Sequence, residues 1–177
     1  KRALSISFNA SPLELHHEDY ADFLLDLMRA HGLDSTWLTL EITESVSIED
    51  EHTTRENLRS IHHAGVKLSI DDFGVGTSSL SRLHTILADR IKIDRAFIEG
   101  LEKDPGMRTT VQMIIKLAQA LELDVIAEGV SSPEQARFLL DAGLVKAQGY
   151  LYSRPVEATD FARMLMDGQV PETPAQG

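Results

Sequence analysis

The chain alternates short apolar runs with longer segments of helical periodicity, and this alternation constrains its fold more than any other feature. Continuous apolar runs rich in β-branched residues are typical of parallel strands that are buried on both faces. Strands that alternate with helices predict a parallel α/β protein. Each of the six runs also carries or precedes a polar side chain: 3–8 before Asn9, 37–40 before Glu41 and Glu44, 66–70 before Asp71 and Asp72, 91–93 with Lys92 inside and Asp94 after it, 125–127 before Glu128, and Ala147 before Gln148.

The segments between these runs have apolar residues at helical spacing. They predict helices over residues 20–30, 53–64, 79–88, 107–121, 134–141 and 159–166. Ser132 and Pro133 together are typical of the start of a helix, and Gly143 is typical of the end of one. Residues 168–177, with Pro171 and Pro174, predict a disordered C-terminal tail.

Two parallel architectures compete for this pattern. A doubly wound sheet binds its ligand at one switch point, whereas a (β/α) barrel gathers residues from every strand end at one mouth. Polar residues follow all the predicted strands, which favours the barrel. A complete barrel takes about 250 residues, so six units in 177 residues predict a TIM-like barrel with about six of eight strands, truncated at the N-terminus. The predicted domain covers residues 1–167.

The composition excludes several classes of protein. The net charge is −11, which is unlike a protein that binds a nucleic-acid polymer through its phosphates. Cysteine is absent, so neither a disulfide framework nor a thiolate zinc site is possible. No apolar stretch approaches the roughly 18 residues of a membrane span. We expect a cytoplasmic protein whose segment here makes no membrane contact, with membrane anchoring of the parent protein left open. The seven histidines are interpreted as surface or helix-end residues.

The acidic pair Asp71 and Asp72 is the sharpest local motif. Adjacent carboxylates after a buried strand repel each other, and a divalent cation relieves that repulsion. Gly74 and Gly76 then allow a sharp turn or a close approach to a ligand. The alternative is an acidic helix N-terminus, stabilised by the helix dipole.

The other strand ends leave their alternatives open. Glu41 and Glu44 are three residues apart, which indicates different tasks, such as metal binding and loop anchoring. Asn9 is interpreted either as a site residue or as the start of a turn. Lys92 is expected to point into an acidic barrel mouth or to pair with Asp94.

Two further polar residues follow the last predicted strands. A lone glutamate against apolar walls has a raised pKa suited to general-base catalysis, which makes Glu128 a candidate base. The amide of Gln148 is expected either to contact the polar edge of a substrate or to cap the sheet.

Taken together, these motifs resemble the EAL family of cyclic di-GMP phosphodiesterases. The resemblance runs from Ser5 to about Leu165. It is carried by SISFN at 5–9, EITE at 41–44, DDFG at 71–74, KID at 92–94, IAEGV at 126–130 and QGY at 148–150.

The resemblance implies a function and a set of residue roles. It implies hydrolysis of cyclic di-GMP to the linear dinucleotide pGpG, in bacterial second-messenger signalling, with two divalent ions, Mg²⁺ or Mn²⁺. Glu128 would be the general base, Lys92 would orient water or offset phosphate charge, and Gln148 would bind substrate. Glu44 would anchor the glycine-rich loop at 73–80. The implied metal ligands are Asn9, Glu41, Asp71 and Asp72, and Asp72 is counted among the catalytic residues with Glu128 and Lys92.

The sequence also departs from the family pattern. The Glu-Ala-Leu tripeptide is absent, and the resemblance places it in a strand upstream of Lys1, so that the chain would lack its first two strands and one ligand. Departures in the glycine-rich loop and elsewhere are Val75, Thr77, Ser131 and Val145. The resemblance implies a homodimer and an upstream sensory or GGDEF domain in the parent protein.

Two other functions remain open at this point. One is a degenerate EAL domain that binds cyclic di-GMP as a receptor without cleaving it. The other is a metal-dependent barrel enzyme that abstracts a proton next to a carboxylate, with a lysine as the base.

Overall fold

A computed structural model describes residues 4–44, 46, 52–74, 87–144 and 146–167. Within these ranges the chain forms one all-parallel sheet whose strands lie side by side in chain order. A β-bridge between Ala127 and Ala147 extends the sheet by one further position, where the sequence predicts a sixth strand. The prediction of a parallel, barrel-like α/β fold is thus confirmed. The strands are β1 (Ile6–Asn9), β2 (Leu38–Thr43), β3 (Lys67–Phe73), β4 (Arg90–Ile93) and β5 (Asp124–Ala127).

Helices connect these strands, mostly where the periodicity predicts them. The N-cap Asp104 accepts a hydrogen bond from the Gly106 amide, so the helix predicted from 107 begins two residues earlier. Ser132 forms a capping box with Gln135 ahead of the next helix. The described helices are α1 (Pro12–Leu15), α2 (Tyr20–Ala30), α3 (His52–His63), α4 (Arg95–Gly100), α5 (Pro105–Ala120), α6 (Pro133–Asp141) and α7 (Ala158–Met166).

Some predictions concern residues that the structure does not describe. Most of the helix predicted over 79–88 lies outside the described residues, as do the tail at 168–177 and most of the loop at 73–80. Val75, Thr77 and Val145 also lie outside them. None of the helices in the described ranges combines the length and apolar character that crossing a membrane requires.

The core packs helices against both halves of the sheet. On α5, Val111, Ile115 and Ala118 are fully or almost fully buried because they recur at the spacing of one helix face. They pack with the apolar residues of β4 and β5. A second cluster joins β2 to α2 and α3. Burying one such aliphatic side chain stabilises the fold by about 1.5–3 kcal/mol, so these faces hold the strands in place.

The strands extend further than the sequence predicts. β2 continues through Glu41 to Thr43, and β3 continues through Asp71 and Asp72 to Phe73. The predicted ends at 40 and 70 are therefore too early. The extension arises because Thr43 pairs with Asp71 in the parallel ladder. The acidic residues consequently lie on strands, which position side chains more rigidly than loops do.

Candidate active site

Lys92 lies at the centre of a group of carboxylates near the carboxyl ends of the strands. The residue is 4% exposed, and its Nζ lies 2.6 Å from Glu41 Oε2, 3.1 Å from Asp71 Oδ1 and 2.6 Å from Glu128 Oε1. Asp94, the partner considered from the sequence, instead accepts a hydrogen bond from the Ala96 amide and caps α4. One cation thus links β2, β3 and the end of β5.

The charge on Lys92 is strongly favoured by these contacts. Burial alone would lower the pKa of the ammonium, but hydrogen bonds to Glu128 and Glu41 outweigh it and raise the pKa. A buried ammonium with several carboxylate acceptors keeps its proton. Lys92 is therefore a fixed positive charge within an acidic site.

A β-bulge brings Asp71 and Asp72 to the same site. Successive side chains on a regular strand point to opposite faces, so the adjacent acids would normally diverge. Here Ile70 pairs with Ile91 and Phe73 pairs with Ile93, so that two residues of β3 oppose one residue of β4. Such bulges redirect side chains and are common next to active sites.

The backbone of Asp72 is strained at this bulge. Its φ is +53°, in the left-handed region that costs free energy for residues other than glycine. Its amide donates to Asp71 Oδ1 at 3.0 Å. As a result, Asp71, Asp72 and Glu128 each offer a carboxylate oxygen, and these three oxygens lie within 4.8 Å of one another. Clustered carboxylate oxygens are the ligands that hard divalent cations prefer.

Two acids of this group have raised pKa values. Burial raises the pKa of Glu128, and the neighbouring charges of Asp71 and Glu41 add to the effect, while Lys92 opposes it. Burial also raises the pKa of Asp72, together with the charges of Asp71 and Asp94. The prediction that Glu128 is a lone carboxylate against apolar walls is wrong, because Lys92 and two acids surround it. The excess of negative charge favours a bound cation.

The segment after β5 and the segment at 147–151 are joined closely. Gln148 donates from its amide Nε2 to Glu128 Oε1 at 2.5 Å, and its backbone N–H and C=O pair with Ala127 and Val130. A Cβ at Gly149 would lie 2.2 Å from the oxygen of Val130. Glycine at this position therefore permits the contact that places Gln148 beside Glu128.

Asn9 and Glu44 lie further out. Asn9 ends β1 and pairs in register with Glu41, so it adjoins the site without belonging to the close carboxylate group. Glu44 is buried, and its Oε2 accepts a hydrogen bond from the Gly74 amide at 3.2 Å. Glu41 and Glu44 thus contact different partners, although their roles as ligand and loop anchor stay predictions.

A cavity of about 520 Å³ adjoins the carboxylate group and was not predicted from the sequence. Glu128 and Gln148 line it on the side of the site, and Phe161 and Met164 of α7 line it on another side. This volume is typical of small-molecule sites. The sequence signal that could have predicted this cavity is the segment after the QGY motif, because it continues directly from Gln148 and also lines the cavity.

Comparison with known proteins identifies the family. The family model described as "EAL domain" matches residues 1–155. An uncharacterised protein of Mycobacterium tuberculosis is 40% identical over 168 residues, which are 95% of this chain and 27% of that protein. The bifunctional diguanylate cyclase/cyclic di-GMP phosphodiesterase MucR of Pseudomonas aeruginosa is 37% identical over 154 residues, which are 87% of this chain and 22% of MucR. The chain spans about a quarter of the length of these curated relatives.

Solved structures give the same result. The EAL domain of Mycobacterium smegmatis DcpA has a TM-score of 0.87 at 39% identity and covers 94% of this chain and 75% of its own. A MucR phosphodiesterase in complex with cyclic di-GMP has a TM-score of 0.83 at 36% identity, and the match covers 89% of this chain and 64% of that structure's chain. Klebsiella pneumoniae BlrP1, solved with cyclic di-GMP and either calcium or manganese, has a TM-score of 0.78 at 33% identity. That match covers 85% of this chain and 39% of the BlrP1 chain. With a family match over most of its length and a fold shared at this identity, the chain belongs to the EAL domain family.

Proposed function

We propose that this chain hydrolyses cyclic di-GMP to the linear dinucleotide pGpG with two divalent ions, Mg²⁺ or Mn²⁺, in bacterial second-messenger signalling. The observation that carries the proposal is the convergence of the Asp71, Asp72 and Glu128 carboxylates, two of which, those of Asp71 and Glu128, contact Lys92. Membership of a family whose neighbours include cyclic di-GMP complexes supports this substrate.

The residues present fit divalent ions. Three carboxylate oxygens within 4.8 Å of one another supply the hard oxygen ligands that Mg²⁺ and Mn²⁺ prefer. The strained backbone of Asp72 is of the kind that persists at functional sites. We assign the two ions to Asn9, Glu41, Asp71 and Asp72, and we assign Glu128, whose carboxylate lies beside Asp71 and Asp72, the role of general base.

When bound, the ions supply an activated water and stabilise the attacking and leaving oxygens of an in-line displacement. The remaining roles belong to side chains of this chain. Glu128 accepts the proton that the attacking water loses, for which its raised pKa is suited. Lys92 holds Glu41, Asp71 and Glu128 in place and offsets phosphate charge. The oxygen of water bonds to phosphorus, one ester P–O bond breaks, the released ribose oxygen takes up a proton, and the linear dinucleotide results.

A proton-abstracting enzyme with a lysine base is not supported by this geometry. A lysine base needs a lowered pKa, whereas the pKa of Lys92 is raised by its carboxylate partners. Phosphodiester hydrolysis is therefore the better interpretation of the same residues.

The test is the release of pGpG from cyclic di-GMP with Mn²⁺, for this chain and for a version extended upstream. We expect Asp71→Asn and Glu128→Gln to lower turnover by on the order of 100-fold or more, because each removes a carboxylate from the site. Asp124→Asn, at the opposite end of the sheet, is the matched control and should retain activity. Binding of cyclic di-GMP without turnover by both versions would contradict the enzyme and establish the receptor alternative.

The wider context is also part of the proposal. We place the parent protein in the cytoplasm or anchored from it, with a sensory or GGDEF domain upstream and with EAL domains paired as homodimers. The relatives that this chain matches are about four times its length, which leaves room for such domains. Sedimentation of the extended protein tests the dimer.

A further inference from the structure

The segment 128–132 carries Glu128 and joins the end of β5 to the start of α6. The Glu128 amide donates to the Ile93 oxygen at 3.1 Å, and the Val130 amide donates to the Gln148 oxygen at 3.0 Å. Both acceptors are main-chain oxygens of neighbouring segments. The first half of the segment is therefore held by bonds that do not depend on the identity of a side chain.

The second half of the segment is held by the side chain of Gln135, in the first turn of α6. Its Oε1 accepts a hydrogen bond from the Ser131 amide at 2.8 Å and another from the Ser132 amide at 3.2 Å. The Ser131 hydroxyl donates to the same oxygen at 3.3 Å. Gln135 is only 4% exposed, and a buried amide is stable only when it is hydrogen-bonded in this way.

These contacts exceed what the start of a helix requires. In a capping box, the N-cap side chain accepts from the amide three residues later, and the side chain of that residue accepts from the N-cap amide. Ser132 and Gln135 provide both of these bonds. The two bonds from Ser131 are additional, and they lie outside the helix on the side of Glu128.

The residues between Ser131 and Glu128 are too tightly packed to absorb a shift of the backbone. Gly129 has a φ of +70°, and a Cβ at this position would lie 2.4 Å from Arg95 Cγ on α4. Val130 is fully buried. Close-packed interiors transmit displacements instead of damping them. A movement at Ser131 should therefore reach Glu128.

We propose that Gln135 is a positioning residue for the general base. By holding the Ser131 and Ser132 amides, its oxygen keeps the Glu128 carboxylate in place beside Lys92. This inference rests on the proposed function and adds to it a residue that acts through Glu128. Because the base takes part in the chemical step, the loss of Gln135 should lower kcat much more than it weakens substrate binding.

The test removes the acceptor oxygen from residue 135 in the upstream-extended protein. We expect Gln135→Met, which is similar in size, to lower kcat with Mn²⁺ by about 10- to 100-fold, because small displacements of a catalytic group are this costly. Calorimetry with Ca²⁺ should show a dissociation constant for cyclic di-GMP within about threefold of that of the parent protein, since binding precedes the step that the base serves.

Two further variants separate the oxygen from the rest of the side chain. Gln135→Asn keeps the amide on a side chain one methylene shorter, so it should lose kcat much as Gln135→Met does. Gln135→Glu keeps an oxygen at the same reach, and the N-terminus of α6 favours its negative charge, so it should retain at least about half of the parent kcat. Equal losses in Gln135→Glu and Gln135→Met would overturn the role of the oxygen.

Asp104→Ala is the matched control for loss of stability. Asp104 caps α5 and accepts from the Gly106 amide at 2.7 Å, and loss of an N-cap destabilises a protein. Urea unfolding compares its stability with that of Gln135→Met. Under conditions in which both variants are folded, Asp104→Ala should keep the kcat of the parent protein. An equal loss of kcat in the control would overturn the inference.

A double-mutant cycle shows whether Gln135 acts through the base. Adding Gln135→Met to Glu128→Gln should lower the residual turnover by less than about twofold, because the group that Gln135 positions is already lost. A full further loss would overturn the inference, and so would normal kcat in Gln135→Met beside an inactive Glu128→Gln. The proposed function would stand in both cases. If the parent protein does not cleave cyclic di-GMP, both fail.

Discussion

At the amino edge of the sheet each of two aspartates has basic neighbours of its own, whereas at the carboxyl edge one lysine serves three carboxylates. Asp124 Oδ2 lies 2.7 Å from Lys146 Nζ and 3.5 Å from Arg90 Nη2. Asp89 lies 3.3 Å from His62 and 3.8 Å from Lys67. These pairs join the starts of neighbouring strands and leave little unbalanced charge.

The carboxyl edge differs because Glu41, Asp71 and Glu128 share Lys92, and Asp72 adds a further negative charge. In barrel proteins the amino face serves stability and the carboxyl face serves catalysis. The two edges of this sheet show how that division arises physically. Paired charges stabilise one edge, and uncompensated acids make the other edge a candidate site for cations.

The largest difference between the two edges should be in the loss of stability when a lysine is removed from each. Lys92→Met leaves three partly buried carboxylates without their ammonium, and loss of one partner of a buried pair costs about 3–5 kcal/mol. Lys146→Met removes a cation from an exposed pair, which is worth less than about 1 kcal/mol. Urea unfolding of both variants in metal-free buffer measures the difference. Equal losses would show that the edges are energetically alike.

Metal binding should stabilise the protein through the carboxyl edge alone. At a Mn²⁺ concentration 100 times the dissociation constant, stability should rise by about 2.7 kcal/mol, and EDTA should reverse the rise. Asp71→Asn should lose this response, and Asp124→Asn should keep it. Thermal unfolding with and without Mn²⁺ provides the measurement. If Mn²⁺ stabilises Asp71→Asn as much as the parent protein, the cation binds at another site.

The two edges should also respond to pH with opposite sign. A hydrogen bond from Lys146 lowers the pKa of Asp124 below its ordinary value of 3.8, so its ionised form stabilises the fold above that pH and loses this effect in stronger acid. Burial raises the pKa of Glu128 above its ordinary value of 4.5, so its contribution is greatest below that pH and is lost as pH rises through the raised pKa.

Comparing each variant with the parent by urea unfolding from about pH 3 to about pH 7 tests this sign. Asp124→Asn should become less stable than the parent as pH rises, and Glu128→Gln should gain on the parent over the same interval. Each difference should be about 1 kcal/mol or less, since Asp124 is partly exposed. Parallel curves for the two variants would contradict the comparison.

The sequence predicts the elements better than it predicts the contacts between them. The apolar runs and helical spacing identify the strands and most of the helices, because local patterns set both. The short helices α1 and α4 have too few turns to show a period, and they were not predicted. The extension of β2 past Glu41 depends on the partner strand, which the sequence alone does not identify.

The site shows the same limit. The motifs place acids near the strand ends, but the bulge that turns Asp71 and Asp72 together depends on the register between β3 and β4. The sequence left two interpretations of Lys92, an acidic barrel mouth or a pair with its neighbour Asp94. The contacts of Lys92 agree with the first, but its individual partners come from other strands and could not be named from the sequence. His62 lies in the last turn of α3, in agreement with the interpretation of the histidines as surface or helix-end residues, but its contact with Asp89 joins distant parts of the chain and has no signal in the sequence.

The left-handed backbone of Asp72 has a consequence for anyone who engineers this protein. Glycine would adopt that conformation without strain, so a search for heat-resistant variants, carried out without metal, should favour Asp72→Gly. Such a search would remove the Asp72 carboxylate from the group formed with Asp71 and Glu128 while improving the measured thermal stability. A protein selected in that way would be more stable to heat but would lack one carboxylate of the candidate site. Any selection for thermal stability therefore needs the ion and the nucleotide present from the first round.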